Sequence, residues 1–137
     1  MVNVCSLGSY SEVVQGVRVT VVPEFWKERS DPEKGVYVYL YTVKVENSGA
    51  RVVQLVDRHW LVRSEGRNNE NICSEGGGGE QPLLEPAVSV EYSSWVVVDG
   101  PLGSLCGSYT FRNELGELFS VEIPGCRLIY TDTEVVH

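Results

Sequence analysis

Four consecutive glycines form the segment of this chain whose composition could bind a phosphate: Gly76, Gly77, Gly78 and Gly79. Glycine-rich turns bind anions because their backbone N–H groups converge on a ligand where no Cβ blocks its approach. A dinucleotide site also needs a parallel strand before the loop and a helix after it, and Glu80-Gln81-Pro82 does not begin a helix. Glu75 and Glu80 would place negative charge beside a bound anion. The loop therefore has two interpretations, a phosphate site or a turn in which glycine serves only backbone geometry.

A candidate acid–base pair lies earlier in the chain, at Asp57 and His59. These residues alternate along a predicted strand and so share one of its faces. A carboxylate that orients a histidine is an arrangement used in nucleophilic catalysis. The nucleophile would have to come from another element, and the sequence places no third group. We therefore expect a protein that is not an enzyme.

Side chains that could bind a metal ion are spread along the chain rather than clustered. The acidic residues in or beside loops recur at an interval of five: Glu70, Glu75, Glu80 and Glu85. That spacing matches neither an EF-hand nor a zinc site. The cysteines are also widely spaced and contain no C-x-x-C pair: Cys5, Cys73, Cys106 and Cys126. We expect no cofactor and free thiols packed beside strands, with a weak magnesium or calcium contact at the loop acids as the alternative.

The composition fits one globular domain with an acidic surface. The chain has 137 residues, 42% of them hydrophobic, and a formal charge of −8 from 19 acidic and 11 basic residues. The basic residues are scattered, whereas nucleic-acid binding needs clustered Lys and Arg that neutralise phosphates. No apolar stretch approaches the ~18 residues of a membrane helix, and the first residues lack the pattern of a secretory signal. We expect a cytoplasmic protein that binds neither nucleic acid nor a membrane.

The elements that would position these residues are β-strands. Apolar and polar residues alternate over residues 17–21. Residues 36–46 form the clearest predicted strand, with one face apolar throughout and the other apolar at first and polar from Thr42 onward, and no long window keeps the 3.6-residue period of a helix. Seven or eight strand-like segments are separated by turn signals, which is typical of an antiparallel β-sandwich. We expect the sandwich at residues 13–131, between a flexible lead-in at 1–12 and a tail at 132–137.

Turn residues indicate how the first strands connect. Pro23 is expected to end the first strand, because proline cannot donate to a β-ladder. Asn47-Ser48-Gly49 tolerates positive φ and separates residues 36–46 from residues 52–63. The two long strands are therefore predicted to form an early hairpin.

The second of these strands contains a candidate core residue, Trp60. It has the same parity as Val52, Val56 and Val62, whereas His59 has the opposite parity. A tryptophan on an apolar strand face buries a large area when it lies between two sheets. We expect Trp60 to lie in the core and His59 to point away from it.

The end of the chain predicts a second hairpin. Tyr109 and Phe111 share a face, residues 114–117 reverse the chain, and Pro124 is expected to stop the pairing. A strand at residues 88–92 comes before this hairpin. Its alternation breaks at the run Trp95-Val96-Val97-Val98.

Three motifs occur in a fixed order: His59-Trp60, the glycine loop with Glu80-Gln81-Pro82, and GSYTFRNELGELFSVEIPGCRL at residues 107–128. Together they closely resemble the ApaG domain family. The resemblance implies a fibronectin type III or immunoglobulin-like sandwich over about residues 13–130. Related domains occur as small bacterial proteins and inside F-box substrate receptors and a polymerase-delta-interacting protein, which implies a protein-recognition module. Genetic association of bacterial members with diadenosine tetraphosphate hydrolysis and with cobalt and magnesium resistance implies the alternative, a phosphate- or nucleotide-binding protein that uses the glycine loop.

A protein partner would bind exposed apolar residues at strand edges or loops, since β-sandwiches interact through both. The candidates are Phe25, Trp26, Trp95 and Val97. The two tryptophans could equally lie in the core, because most tryptophans in small domains are largely buried. The partner could also be a second copy of the chain.

Overall fold

A computed structural model describes residues 4–6, 8–64, 70–74 and 81–130 of the chain. These residues form two antiparallel sheets with almost no helix, so the predicted β-sandwich class is confirmed. The strands are β1 (Val4–Ser6), β2 (Tyr10–Val14), β3 (Val17–Trp26), β4 (Tyr37–Asn47), β5 (Val53–Ser64), β6 (Glu70–Ser74), β7 (Leu83–Leu84), β8 (Ser89–Val98), β9 (Leu102–Asn113) and β10 (Leu118–Ile129). The described residues thus contain ten strands, where the sequence indicated seven or eight, because β1 and β7 are too short to show a period.

The two sheets have different neighbours along their edges. Sheet 1 has the order β1-β3-β4-β8, and β2 pairs with the same edge of β3 as β1 does. Sheet 2 has the order β10-β9-β5-β6, and β7 pairs with the other end of the β5 edge that carries β6. The expectation of a flexible lead-in up to residue 12 is wrong for residues 4–6 and 10–12, because both segments pair with β3. Residues 131–137, which include the predicted tail, lie outside the described residues.

Pro23 does not end β3, which continues to Trp26. On one side of β3, β2 pairs with residues 17–21 and β1 pairs with residues 24–26. Pro23 falls between these two pairings, where β3 has no strand beside it on that side. A residue without an N–H is accommodated there without loss of a ladder hydrogen bond to either short strand.

The turn after β4 leads to the other sheet, so the predicted early hairpin is wrong. β4 pairs with β3 and β8, whereas β5 pairs with β9, β6 and β7. Asn47 holds this corner and is 2% exposed. Its side-chain N–H groups donate to the carbonyls of Arg51 (2.8 Å) and Leu84 (2.9 Å), and its oxygen accepts from the N–H of Gly49 (3.0 Å). Asn47, which the sequence places in a hairpin turn, therefore binds three backbone groups at the point where the chain passes from one sheet to the other.

A β-bulge in β5 changes which residues face the core. The register with β9 shifts between Leu55 and Asp57, so Val56 is the extra residue. Before the bulge Val53 and Leu55 are buried, and after it Trp60 is buried at 1% exposure. The core position predicted for Trp60 is confirmed. The prediction that Val56 shares the face of Trp60 is wrong, because the inserted residue inverts the alternation of faces along β5.

The last three strands are longer than the sequence indicated. β8 includes the run Trp95 to Val98, where the alternation seemed to break, because Trp95 and Val97 are apolar residues on its outer side. Pro124 does not end the last strand; the pairing of β9 with β10 shifts between Ile123 and Cys126 and then continues to Ile129. The predicted reversal after Asn113 is confirmed, since its carbonyl accepts the N–H of Gly116.

The core is centred on Trp60, which joins the two sheets through its indole ring. The ring centroid lies 5.2 Å from that of Tyr41 in sheet 1 and 5.7 Å from that of Tyr109 in sheet 2. On β9, the residue paired with Trp60 is Gly107. A Cβ at Gly107 would lie 2.5 Å from Cε3 of Trp60 and 2.7 Å from the carbonyl oxygen of His59. Glycine is therefore required at this position for the indole ring to lie against β9.

We expect the substitution Gly107→Ala to destabilise the fold by about 1–3 kcal/mol, because the new methyl group must displace a packed ring and a strand backbone. Gly125→Ala is the matched control, since a Cβ there meets nothing within 4 Å. Urea unfolding followed by tryptophan fluorescence measures both free energies of unfolding. Equal stability of the two variants would contradict the importance of this contact.

Candidate functional site

The predicted phosphate loop, Gly76 to Gly79, lies outside the described residues. Its exit is described and is tied to β5 at the bulge. The N–H of Leu55 donates to the carbonyl of Pro82 (3.0 Å), and the side-chain amide of Gln81 donates to the carbonyl of Val56 (3.1 Å). The side chain of Gln54 donates to the carbonyl of Gln81 (3.1 Å). Gln81 and Pro82 thus anchor the chain at the bulge, and phosphate binding by the glycines stays a prediction.

The candidate acid–base pair is exposed on the outer face of sheet 2. Asp57 and His59 share that face, as their spacing predicted. No hydrogen bond joins the two side chains within the described part of the chain. Ser108 is the residue of β9 paired with His59, a neighbour that the sequence did not indicate. No hydrogen bond joins Ser108 to His59 within the described ranges either, so a base, its orienting carboxylate and a nucleophile are not assembled here.

Metal ligands are not clustered in the described ranges, where no group of three or more His, Cys, Asp or Glu residues could hold an ion. Glu75 and Glu80, two of the four predicted loop acids, lie outside those ranges. Cys106 and Cys126 are reduced thiols within β9 and β10. Cys5 and Cys73 lie within β1 and β6. Among the helices of the described residues, none is long and apolar enough to cross a membrane.

The four predicted partner-binding residues divide between the core and the surface. Phe25 is 1% exposed and packs against Tyr39, with 5.4 Å between ring centroids. A buried ring cannot contact a partner, so its assignment as a surface residue is wrong. Trp95 and Val97 are 61% and 50% exposed. The alternative of a core position is therefore wrong for Trp95.

Trp26, Leu40, Trp95 and Val97 form an apolar outer patch on the face of sheet 1 that points away from sheet 2. The register places Leu40 opposite Trp95. The rings of Trp26 and Trp95 meet edge to face at 6.5 Å, and the guanidinium of Arg29 lies 5.1 Å from the Trp26 ring centroid. The patch thus contains the exposed indole ring of Trp95 and the ring of Trp26, which lies between Trp95 and the guanidinium of Arg29.

A short turn holds Trp26 at the margin of the outer patch. The hydroxyl of Ser30 donates to the carbonyl of Trp26 (2.8 Å) and accepts from the N–H of Val38 (2.8 Å). These two hydrogen bonds connect the end of β3 to β4 across the 3₁₀ turn Lys27–Arg29. Val38 also lies on the outer face, yet it is only 5% exposed. The outer patch is therefore built on backbone whose hydrogen bonds are satisfied at this edge.

Strand β8, which carries Trp95 and Val97, lies at the edge of sheet 1. It pairs with β4 along its whole length. Within the described ranges, no other strand pairs with its second side. An edge strand with alternating apolar residues is a template on which an extended segment can pair.

The fold and these motifs define a small antiparallel β-sandwich of the fibronectin type III or immunoglobulin-like kind. A family model described as the ApaG domain matches residues 27–113. The Protein ApaG of Rhodospirillum centenum is 40% identical over 87% of this chain and 92% of its own length. The Protein ApaG of Xanthobacter autotrophicus is 35% identical over 93% of this chain and 98% of its own length.

A solved structure agrees with these sequence matches. The crystal structure of a Bordetella pertussis protein named ApaA superposes with a TM-score of 0.78 at 34% identity, covering 85% of this chain and 95% of that one. The chain belongs to the ApaG domain family. The resemblance in the three sequence motifs is thereby confirmed.

Burial, and to a smaller extent the neighbouring Cys106, raises the pKa of the Cys126 thiol from its ordinary 9.0 to about 12. The folded protein therefore holds this proton more tightly than the unfolded chain does. The resulting stabilisation is fully present below pH 9 and is lost as the pH rises toward about 12. Burial also raises the pKa of Tyr39, which acts in the same direction.

We expect Cys126 to resist alkylation by iodoacetamide at pH 9 in the folded protein, because the thiolate is the reacting species. Cys106 is half-buried and is the internal comparison. Peptide mapping by mass spectrometry over time measures both sites, with and without urea. Modification of Cys126 as fast in the folded as in the unfolded protein would contradict the raised pKa.

Proposed function

We propose that this chain is a non-enzymatic protein-interaction module that binds its partner through the outer patch of sheet 1. The observation that carries this proposal is the 61% exposure of Trp95 on a strand that pairs with β4 along its whole length. Tryptophan is highly buried on average in folded domains, and it is among the residues that contribute most to binding at protein interfaces.

The energy available from this surface is large enough for recognition. An aromatic side chain buries roughly 150–250 Å² in an interface. At about 25 cal/mol per Å², covering the exposed part of the Trp95 ring stabilises a complex by roughly 2–4 kcal/mol before the costs of association. Val97 lies two residues further along the same face and extends the contact. The pair supplies an apolar centre for an interface whose rim is polar.

The backbone of β8 favours an extended partner. A segment that pairs with the second side of β8 would satisfy main-chain hydrogen bonds and place alternate side chains over Trp95 and Val97. This mode binds an extended peptide with apolar residues at every second position. The partner proposed here is therefore a protein segment of that pattern.

The absence of an assembled catalytic set among the described residues supports the non-enzymatic part of the proposal. Asp57, His59 and Ser108 share the outer face of sheet 2, but no hydrogen bonds connect them there. The alternative function, phosphate or nucleotide binding at Gly76 to Gly79, depends on residues outside the described ranges. It stays a prediction on the sequence alone.

We expect Trp95→Asp to remove the protein partner captured from an extract of the source organism, because a carboxylate cannot be covered by an apolar segment. Leu118→Asp is the matched control, since Leu118 is 60% exposed on the other sheet. Captured proteins are identified by mass spectrometry, and the melting temperatures of both variants are measured in parallel. The same captured set for wild type and Trp95→Asp would overturn the proposed surface.

A further inference from the structure

Two arginines lie in one row across three strands of sheet 2. Arg63 of β5 is paired with Ser104 of β9, and Ser104 is paired with Arg127 of β10. Residues directly opposite each other on antiparallel strands point to the same face, so all three share one side of the sheet. Both arginines are exposed and Ser104 is half-buried. These three residues therefore present two cations and a hydroxyl to solvent on the outer face, and the row continues into β6 with Glu70, the register partner of Arg63.

These side chains line a cleft with a volume of about 280 Å³, and Gly103 completes the described part of its lining. A Cβ at Gly103 would lie 2.7 Å from the carbonyl oxygen of Arg63. The glycine thus allows the backbones of β5 and β9 to lie close together at Arg63. The cleft depends on a backbone feature as well as on surface side chains.

We propose that this cleft binds the phosphate group of a small phosphorylated molecule, held between Arg63 and Arg127 with the hydroxyl of Ser104 as a third donor. Neighbouring strands are about 4.8 Å apart, so the backbones that carry the two arginines are about 10 Å apart across β9. Each guanidinium is a planar fork of donors that binds two phosphate oxygens at once. Two such forks fit the several acceptors of a phosphate better than the two oxygens of a carboxylate.

The size of the cleft favours a ligand larger than a bare ion. A volume of about 280 Å³ is near the lower end of the range of roughly 300–1,000 Å³ found for small-molecule sites. Inorganic phosphate would leave part of it to solvent. A phosphate monoester with a few further atoms fills more of the space, so it binds more tightly than inorganic phosphate.

The overall charge of the protein does not oppose a local anion site. The formal charge is −8, but charges at the surface are screened over about 8 Å at physiological salt. An anion between two guanidinium groups therefore responds mainly to those groups and to the acidic residue Glu70, which is paired with Arg63 on the neighbouring strand. Arg63 also makes another contact within the protein. A bound phosphate would therefore use only some of the five donors of the Arg63 guanidinium.

This site is separate from the apolar outer patch of sheet 1. It lies on the outer face of sheet 2, whereas the outer patch with Trp95 and Val97 lies on sheet 1. Its described residues include none of the four glycines of the loop. The phosphate site and the protein-binding surface can therefore be tested independently.

The test is a titration of ¹⁵N-labelled full-length protein with glycerol 3-phosphate, inorganic phosphate, sodium acetate and sodium chloride, at constant ionic strength. We expect saturable shifts of the amide resonances of Gly103, Ser104 and Arg127 with glycerol 3-phosphate, and weaker binding of inorganic phosphate. Acetate and chloride are expected to give no saturable shift. Equal binding of acetate would overturn the assignment to phosphate, and equal binding of inorganic phosphate would overturn the monoester.

Variants decide whether the arginine row is the site. Arg63→Gln and Arg127→Gln are each expected to weaken glycerol 3-phosphate binding by about tenfold, because each removes charge-assisted hydrogen bonds. Arg112→Gln is the matched control, since Arg112 is an exposed arginine on β9 whose register partners are Gln54 and Leu118. Unchanged spectra elsewhere establish that each variant is folded. Equal losses in all three variants would show nonspecific attraction and overturn the site.

Discussion

The close contact between Trp60 and Gly107 is the constraint on which the two-sheet arrangement depends. The indole ring lies against the backbone of β9, and its other neighbours are Tyr41 in the opposite sheet and Tyr109 beside it. A ring that contacts both sheets fixes how far apart they lie and how they are aligned. The Nε1 atom of Trp60 and the hydroxyl of Tyr109 are buried, without hydrogen-bond partners within the described part of the chain. The centre of the sandwich is therefore held by packing rather than by polar contacts.

A core filled in this way leaves recognition to the outer faces and edges. The inner faces carry closely packed valine and aromatic side chains, and the clefts of the described residues lie at the surface. The two outer faces differ in character. Sheet 1 presents tryptophan, leucine and valine beside an open strand edge, whereas sheet 2 presents an arginine row together with Asp57 and His59. One small domain thus offers an apolar surface and a polar surface that point in opposite directions.

The sequence predicted the fold class well and the connections poorly. Alternation over residues 17–21 and an unbroken apolar face over residues 36–46 predict strands that are buried on one face, and Trp60 is predicted to lie in the core because valines share its parity on that strand. Alternation does not indicate which strands pair. The turn residues after β4 therefore predict a hairpin, although the chain passes to the other sheet at Asn47. An inserted residue such as Val56 has no signature of its own and inverts the pattern after it. Candidate surface residues were harder still, because Phe25 and Trp26 are adjacent in sequence and point to opposite faces.

The pairing of β1 and β2 with one side of β3 limits how many molecules can join sheet 1 in a complex. These two short strands divide one edge of sheet 1 into segments of three and five residues, whereas β8 presents ten residues at the other edge. A sheet with two long open edges supports chains of unlimited length, as in fibrils. Very short edge strands are poor templates for pairing, so a sheet with one long open edge favours a single added strand there. Pairing at β8 therefore favours complexes of defined stoichiometry, either one protein with one peptide or two protein molecules related by a two-fold axis.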